Sequence, residues 1–180
     1  MSLTIVIPAV EQYDEGKNEF VKTKEQVLQL EHSLVSIRKW EAGHLKPFLG
    51  REPKTRAETI DYIRCMTLTQ NVDPAVYSAL TQDILDQVEQ YINAPMTATT
   101  FPKEPKKGGQ EIVTAEIIYY WMIVNGIPFE CQKWHLNSLL TLINVCNRKN
   151  KPPKKMSKRE IMRRNTALND ARRKQFKTRG

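Results

Sequence analysis

Residues 111–125 read EIVTAEIIYYWMIVN, and this stretch decides how the chain folds. Apolar side chains occupy nearly every position, so a helix built from it would be hydrophobic around most of its circumference. Such a helix lies in the centre of a core or at an interface with another protein. Asn125-Gly126 ends the predicted helix, and Ile127-Pro128 forces a turn. The sequence therefore predicts a helix over 111–125 that ranks among the most buried segments.

Helix-start signals surround this stretch on both sides. A second apolar helix is predicted from about Glu130 or Trp134 to Asn147. Upstream, small polar residues precede apolar side chains at helical spacing, which is typical of N-caps and capping boxes. The predicted starts are Ser33 for a helix to about Glu41, Thr55 with Glu58 three residues later, Asp73 before Pro74, and Thr81.

The N-terminal residues have a different pattern. Residues 3–10 read LTIVIPAV and are rich in β-branched side chains, and QVLQL at 26–30 shows partial alternation. A turn signal at 14–17 lies between them, so an antiparallel element of two or three strands is predicted within residues 1–30. Pro8 is expected at an edge or a bulge, because proline cannot donate to a sheet ladder.

Positive charge is concentrated in residues 148–180. They hold 14 of the 28 lysines and arginines and only two acidic residues, Glu160 and Asp170, which gives 14 − 2 = +12. The other 147 residues carry −4, since the whole chain carries +8. Ser157 and Glu160 form a capping box that opens a basic helix running towards Phe176. The residues expected to attract an acidic partner are Lys154, Lys155, Lys158, Arg159, Arg163, Arg164, Arg172, Arg173 and Lys174.

Together these patterns predict a mainly α (α+β) fold. A small N-terminal β-hairpin element comes first, then a helical body, then a basic C-terminal helix. The predicted division is a body of residues 1–147 and a basic arm of residues 148–180. The 94–111 loop and the Pro152-Pro153 break are the strongest boundary signals.

The sequence offers no catalytic set and predicts no metal or cofactor. Cys131 and His135 are four residues apart, but a structural zinc site needs four ligands and no second close pair exists. Glycine-rich phosphate loops, dinucleotide fingerprints and nucleophile elbows are missing. The longest apolar run, 117–124, is too short to cross a membrane, so a soluble intracellular protein with reduced thiols is expected.

Aromatic residues cluster around the two apolar helices. They are Tyr119, Tyr120, Trp121, Phe129 and Trp134. One interpretation places them in the core, and the other makes them anchors of a protein-binding surface, a role in which Trp and Tyr are common. Nucleic acid is a further candidate partner, through non-specific contact with the basic arm. Sequence-specific reading is disfavoured because the helix after 134 is leucine-rich.

Several segments, taken as a set, resemble a group of small proteins of long-tailed bacteriophages. These are LEHSL at 30–34, WE at 40–41, DYIRCMT at 61–67, IYYWM at 118–122, IPFEC at 127–131, WHLN at 134–137 and PPKKMS at 152–157. The group is identified as tail assembly chaperones, encoded beside the tape measure protein. The resemblance implies a non-enzymatic factor that binds the tape measure protein in the host cytoplasm and is absent from the finished tail.

The basic arm departs from that group, many of whose members are acidic. This leaves three expectations open for the chain. It is a tail assembly factor, a minor structural component of the virion in the tail or neck, or a protein that binds nucleic acid through its arm. Other virion proteins and further copies of the chain are additional candidate partners.

Overall fold

The computed structural model describes residues 2–14, 19–101, 112–151 and 157–176, with only the backbone described within 10–23. The chain divides into two compact units, Met1–Asn147 and Arg148–Gly180. The predicted mainly α (α+β) class is confirmed, because helices dominate and the strands all precede residue 31.

The strands form one interrupted hairpin. β1 (Leu3–Ile7) pairs antiparallel with β4 (Gln26–Leu30), and β2 (Val10–Asp14) pairs antiparallel with β3 (Glu19–Thr23). In both pairs the numbers of facing residues add up to 33, so a single register continues through the break. The element has four short strands where two or three were predicted. Pro8 lies in the break, as expected of a residue without a backbone N–H.

Three helices follow the hairpin at the predicted starts. They are α1 (Leu34–His44), α2 (Arg56–Met66) and α3 (Gln82–Asn93). The α2 capping box is complete: Thr55 Oγ1 accepts from the Glu58 N–H at 3.2 Å, and Glu58 Oε2 accepts from the Thr55 N–H at 2.8 Å. Asp73-Pro74 opens a 3-10 helix, Pro74–Ala79.

The second half of the chain begins with α4 (Ala115–Val124), four residues later than predicted. A 3-10 helix, Phe129–Lys133, and an extended Trp134 come before α5 (Leu136–Lys149), so the second apolar helix starts later than expected too. α6 (Lys158–Phe176) opens at the predicted capping box, with Ser157 N–H donating to Glu160 Oε2 at 2.9 Å. Of the predicted 94–111 loop, residues 102–111 lie outside the described residues.

Alternate residues of the β1–β4 pair point into the body. Ile5, Ile7, Leu28 and Leu30 are buried, and they belong to one core cluster with side chains from all five helices of the body. The outer edge of β4 is covered by the chain after α2: the Leu68 N–H donates to the Gln29 carbonyl at 2.8 Å. The short ribbon is therefore stabilised by helix packing, since an isolated two-stranded hairpin is at best marginally stable.

A polar network lies inside this core. The His32 Nδ1 contacts the Tyr62 hydroxyl, and the His32 and His135 rings are 5.0 Å apart. His135 Nε2 bonds the Tyr91 carbonyl at 3.0 Å, and the Tyr91 hydroxyl accepts from the His32 N–H at 3.3 Å. Burial, with a smaller repulsion from His135, lowers the pKa of His32 to about 3. Burial also lowers the pKa of His135. Both imidazoles are thus neutral in the folded chain at neutral pH.

This network predicts a loss of stability in mild acid. In the unfolded chain His32 becomes protonated below about pH 6.5. In the folded chain it stays neutral until about pH 3. The free energy of unfolding should therefore fall by about 1.4 kcal/mol per pH unit for this histidine as pH drops. Urea unfolding between pH 7 and about 5 measures the slope, in a range above most carboxylate titrations.

The His32→Asn variant should show a shallower slope, because asparagine keeps a hydrogen-bonding group and does not titrate. His44→Asn is the matched control, since His44 lies outside the network beside Asp61. Equal slopes for the wild-type protein and His32→Asn would contradict the assignment.

Candidate functional site

α4 is held in place by a carboxylate from another helix. Glu41, a buried residue of α1, accepts the Ala115 N–H on Oε2 at 2.8 Å and the Phe48 N–H on Oε1 at 2.7 Å. Thr114, the N-cap residue of α4, makes no side-chain cap bond. Glu41 supplies the missing acceptor, and a negative charge at a helix N-terminus is favourable. This bond anchors the first turn of α4 to the body.

Only one face of α4 is buried. Ala115, Ile118 and Met122 point into the core, since steps of three and four residues bring side chains onto the same side of a helix. On the opposite side Tyr120, Ile123 and Val124 are each 62% exposed. The prediction that this helix is among the most buried segments is wrong for that face. The described part of the body covers α4 from one side only.

The two flanks of α4 carry different aromatic residues. On one flank, the Tyr119 hydroxyl donates to Gln132 Oε1 at 2.8 Å, and its ring centroid lies 6.3 Å from that of Phe129. The Arg38 guanidinium lies 6.0 Å from the Tyr119 ring centroid. Burial raises the pKa of Tyr119, and the charge of Arg38 partly offsets this. The phenol is therefore a neutral hydrogen-bond donor, and Phe129 beside it is half exposed.

Trp121 lies on the other flank and lines a groove of about 500 Å³. Its lining includes the apolar residues Val113, Leu140 and Ile143, while Arg51 and Asn147 supply polar groups. A second groove of about 720 Å³ adjoins it, because Gly50, Arg51 and Ile112 line both. The second groove extends to Trp40 and Lys54. We call these two together the Trp121 groove.

The five predicted aromatic residues do not form a single cluster. Tyr119 and Phe129 lie together, Tyr120 is on the exposed face, and Trp121 lines its groove. Trp134 is half exposed in a different groove with Met96, Leu142 and Val145. Tyr120 lies on the exposed side of α4, between the flank that carries Tyr119 and the flank that carries Trp121. We call Tyr120, Ile123 and Val124 the α4 face. Sequence reasoning missed Ile123 and Val124, whose spacing from Ile118 and Met122 places them opposite the core.

In the second unit, α6 has no buried residue. Seven of the predicted electrostatic residues lie on it and are exposed: Lys158, Arg159, Arg163, Arg164, Arg172, Arg173 and Lys174. Lys154 and Lys155 lie outside the described residues. The apolar side chains of this helix, Ile161, Met162, Leu168 and Phe176, are exposed as well. The described helix thus presents a strongly basic surface with a few apolar side chains.

Cys131 and His135 are not arranged as a nucleophile and base. Burial raises the pKa of the Cys131 thiol, which opposes thiolate formation. His135 Nε2 is engaged by the Tyr91 carbonyl. Within the described ranges, no group of three or more His, Cys, Asp or Glu side chains is placed to hold a metal ion. None of the described helices has the length and apolar character needed to cross a bilayer.

No protein-family model, curated protein or solved structure matches this chain. The α4 face, the Trp121 groove and α6 are the candidate interaction surfaces among the described residues.

Substitutions at Ile118 and Ile123 distinguish the buried side of α4 from its exposed side. Replacing Ile118, which is fully buried, with Ala should lower the free energy of unfolding by about 2–5 kcal/mol through lost burial and a cavity. Replacing Ile123 with Ala on the exposed face should change it by about 0.5 kcal/mol or less. Urea unfolding followed by circular dichroism measures both. A large loss for Ile123→Ala would show that the α4 face is covered.

Proposed function

We propose that this chain is a non-enzymatic assembly factor of a long-tailed bacteriophage, which binds the tape measure protein in the host cytoplasm while the tail is built. The observation that carries the proposal is the α4 face together with the Trp121 groove. Three large hydrophobic side chains at 62% exposure, next to a groove lined by Trp121, Leu140 and Ile143, are the features of a protein-binding surface.

A helical partner fits this surface best. The α4 face runs along the helix, and the Trp121 groove lies on its flank between α4, α5 and the chain near Gly50. An amphipathic helix binds such a groove with apolar side chains at three- and four-residue spacing. Arg51 and Asn147 at the groove supply the polar contacts that fix register. A long helical protein such as a tape measure presents many segments of this kind.

The basic arm adds electrostatic attraction. Residues 148–180 carry +12, and α6 exposes its basic side chains to solvent. Charge of this density raises the rate of association with an acidic partner. Salt weakens this electrostatic attraction, because charges separated by more than a Debye length of about 8 Å are screened at physiological ionic strength. The resemblance of the sequence to tail assembly chaperones supports the same reading. The departure in charge supports the alternative of a minor virion component.

Co-expression distinguishes these roles. The tape measure protein is produced with and without this chain. The amount of soluble tape measure protein, its co-purification with this chain and the protein composition of finished particles are then measured. We expect the partner to stay soluble only with this chain, and the chain to be absent from particles. Stoichiometric amounts in finished particles would favour the structural role. A partner that stays soluble without this chain would count against the chaperone role.

Variants of the α4 face test the surface itself. The double change Tyr120→Ser and Ile123→Ser should weaken partner binding by at least about tenfold, because exposed aromatic and aliphatic anchors dominate binding energy. Thermal unfolding should be nearly unchanged, since neither side chain is buried. Leu68→Ser is the matched control, an exposed apolar residue outside α4. Equal binding by the double variant and the control would exclude this face.

Nucleic acid is a second candidate partner, favoured by the exposed basic side chains of α6. Replacing Arg172 and Arg173 with Gln should then weaken binding to an unrelated DNA duplex. The dependence of log affinity on log salt should become shallower by about two units, since each lost phosphate contact contributes about 0.9. Lys39→Gln with Lys133→Gln on the body is the charge-matched control. Unchanged salt dependence in the arm variant would exclude this role for α6.

A further inference from the structure

The edge of β1 that faces away from β4 carries backbone groups with no hydrogen-bond partner among the described residues, and their direction follows from β4. The Gln29 carbonyl accepts from Leu68, and its N–H donates to Thr69 Oγ1 at 2.9 Å, so both groups point away from β1. Neighbouring residues of an antiparallel strand point their backbone groups to opposite sides. Leu28 and Leu30 therefore bond to β1, and the residues facing them are Ile5 and Leu3.

The alternate residues of β1 point outward for the same reason. Thr4 faces Gln29 and Val6 faces Val27, so the N–H and carbonyl groups of Thr4 and Val6 are directed away from β4. Among the described residues, none forms a hydrogen bond with the backbone of Thr4 or Val6. The helix that approaches β1 is α3, and its Ile84 and Val88 share the core cluster with Ile5 and Ile7, on the buried face.

This edge lacks the charged side chains that commonly protect an edge strand against pairing. Exposed edge strands in natural proteins commonly carry charged side chains, especially lysine, which discourage strand addition. Residues 2–10 contain no charged side chain, and the first is Glu11. On the outer face, Val6 and its partner Val27 are 52% and 49% exposed. The edge is therefore free of charge over its five residues and available for strand addition.

We propose that β1 pairs with β1 of a second copy of this chain, antiparallel about a twofold axis at Ile5, to give a four-stranded sheet with strand order β4-β1-β1-β4. This inference does not depend on the proposed function. The observation that selects a second copy is self-complementarity. If Thr4 faces Val6 of the second copy, both become hydrogen-bonded pairs, and the four outward groups of each strand are satisfied at once.

Other registers within β1 fit less well. If Thr4 faced Thr4 of the second copy, the outward groups of Val6 would have no partner within β1. If Val6 faced Val6, the outward groups of Thr4 would have none. A shift by one residue would exchange the buried and exposed faces across the new junction. In the proposed register Ile5 faces Ile5 and Leu3 faces Ile7, so the apolar side of both sheets is continuous. Pro8 has no N–H to extend the ladder, and by symmetry it limits the ladder at both ends.

Cysteine pairs test the register in the full chain. Facing residues of a hydrogen-bonded pair have Cα atoms about 5.5 Å apart, within disulfide range, whereas diagonal neighbours are about 7–8 Å apart. We expect a mixture of Thr4→Cys and Val6→Cys proteins to form a disulfide-linked dimer under mild oxidation. Neither variant alone should cross-link above the background of the wild-type chain, which retains its own three cysteines.

The pattern of cross-linking decides the proposal. Efficient linkage in Thr4→Cys alone, or in Val6→Cys alone, would overturn the proposed register. Equal background in all samples, including the mixture, would overturn strand pairing. Both cysteine positions lie on the exposed face of β1, so the fold should tolerate them.

A proline variant tests the edge without cross-linking. Val6→Pro removes an N–H that points away from β4, so the hairpin should persist, as edge strands accept proline at such positions. Sedimentation velocity of the wild-type chain should show a dimer that grows with concentration. Val6→Pro should weaken it by roughly tenfold to a hundredfold, because each dimer loses two of its four edge bonds.

Val6→Thr is the matched control, since it keeps the N–H and the β-branched shape and should dimerise like the wild-type chain. Circular dichroism verifies that each variant is folded. A wild-type chain that is monomeric at every concentration would overturn the proposal. A folded Val6→Pro that dimerises like the wild-type chain would also do so, because another surface would then be responsible.

Discussion

The Glu41 carboxylate joins two distant parts of the body, and the geometry of the exposed surface depends on it. It accepts from the backbone of Phe48, close by in the chain, and from Ala115, 74 residues away. Charge-assisted bonds from a carboxylate to backbone N–H groups are among the stronger hydrogen bonds in proteins. This bond holds the first residue of α4, and the burial of Ala115, Ile118 and Met122 sets the rotation of the helix about its own axis. The same rotation turns the α4 face towards solvent.

The buried histidine network has a complementary effect. His32, Tyr62, Tyr91 and His135 come from four separate segments, and each polar group finds its partner inside the core. A buried polar group without a partner costs about 1–3 kcal/mol, so alternative packings that separate these groups are disfavoured. Among the described residues, no buried side-chain polar atom is left without a hydrogen bond. The network therefore selects one arrangement of the helices around the hairpin.

Local signals in the sequence predicted the helix starts well. Thr55 with Glu58, Ser157 with Glu160, and Thr81 each act through atoms a few residues away, so sequence alone contains the whole interaction. The start of α4 at Ala115 was missed because its capping acceptor comes from Glu41 on another helix. A local sequence pattern cannot reveal a contact between residues that are 74 positions apart in the chain.

The exposed face of α4 could not be predicted for a different reason. Periodicity identifies a buried face by contrast between apolar and polar positions, and this helix has almost no polar positions. Its surface is decided by what packs against it. Of the five aromatic candidates, Tyr120, Phe129 and Trp134 are exposed, and their separation into different regions depends on the tertiary fold. The single register of the interrupted hairpin likewise required the structure.

The bridge between Ser33 and His135, together with the bond from the Leu136 N–H to the His32 carbonyl at 2.9 Å, has a consequence during translation. The hairpin and α1 emerge from the ribosome before the residues that close the core over them, which appear only after most of the body has been made. Throughout that interval residues 3–7 can pair with β4 but lack the later helices that bury Ile5 and Ile7, and exposed apolar strands favour aggregation of nascent chains. Changes that slow the docking of α5 should therefore reduce the yield of folded protein through the N-terminal strand, far from the altered residue in the sequence.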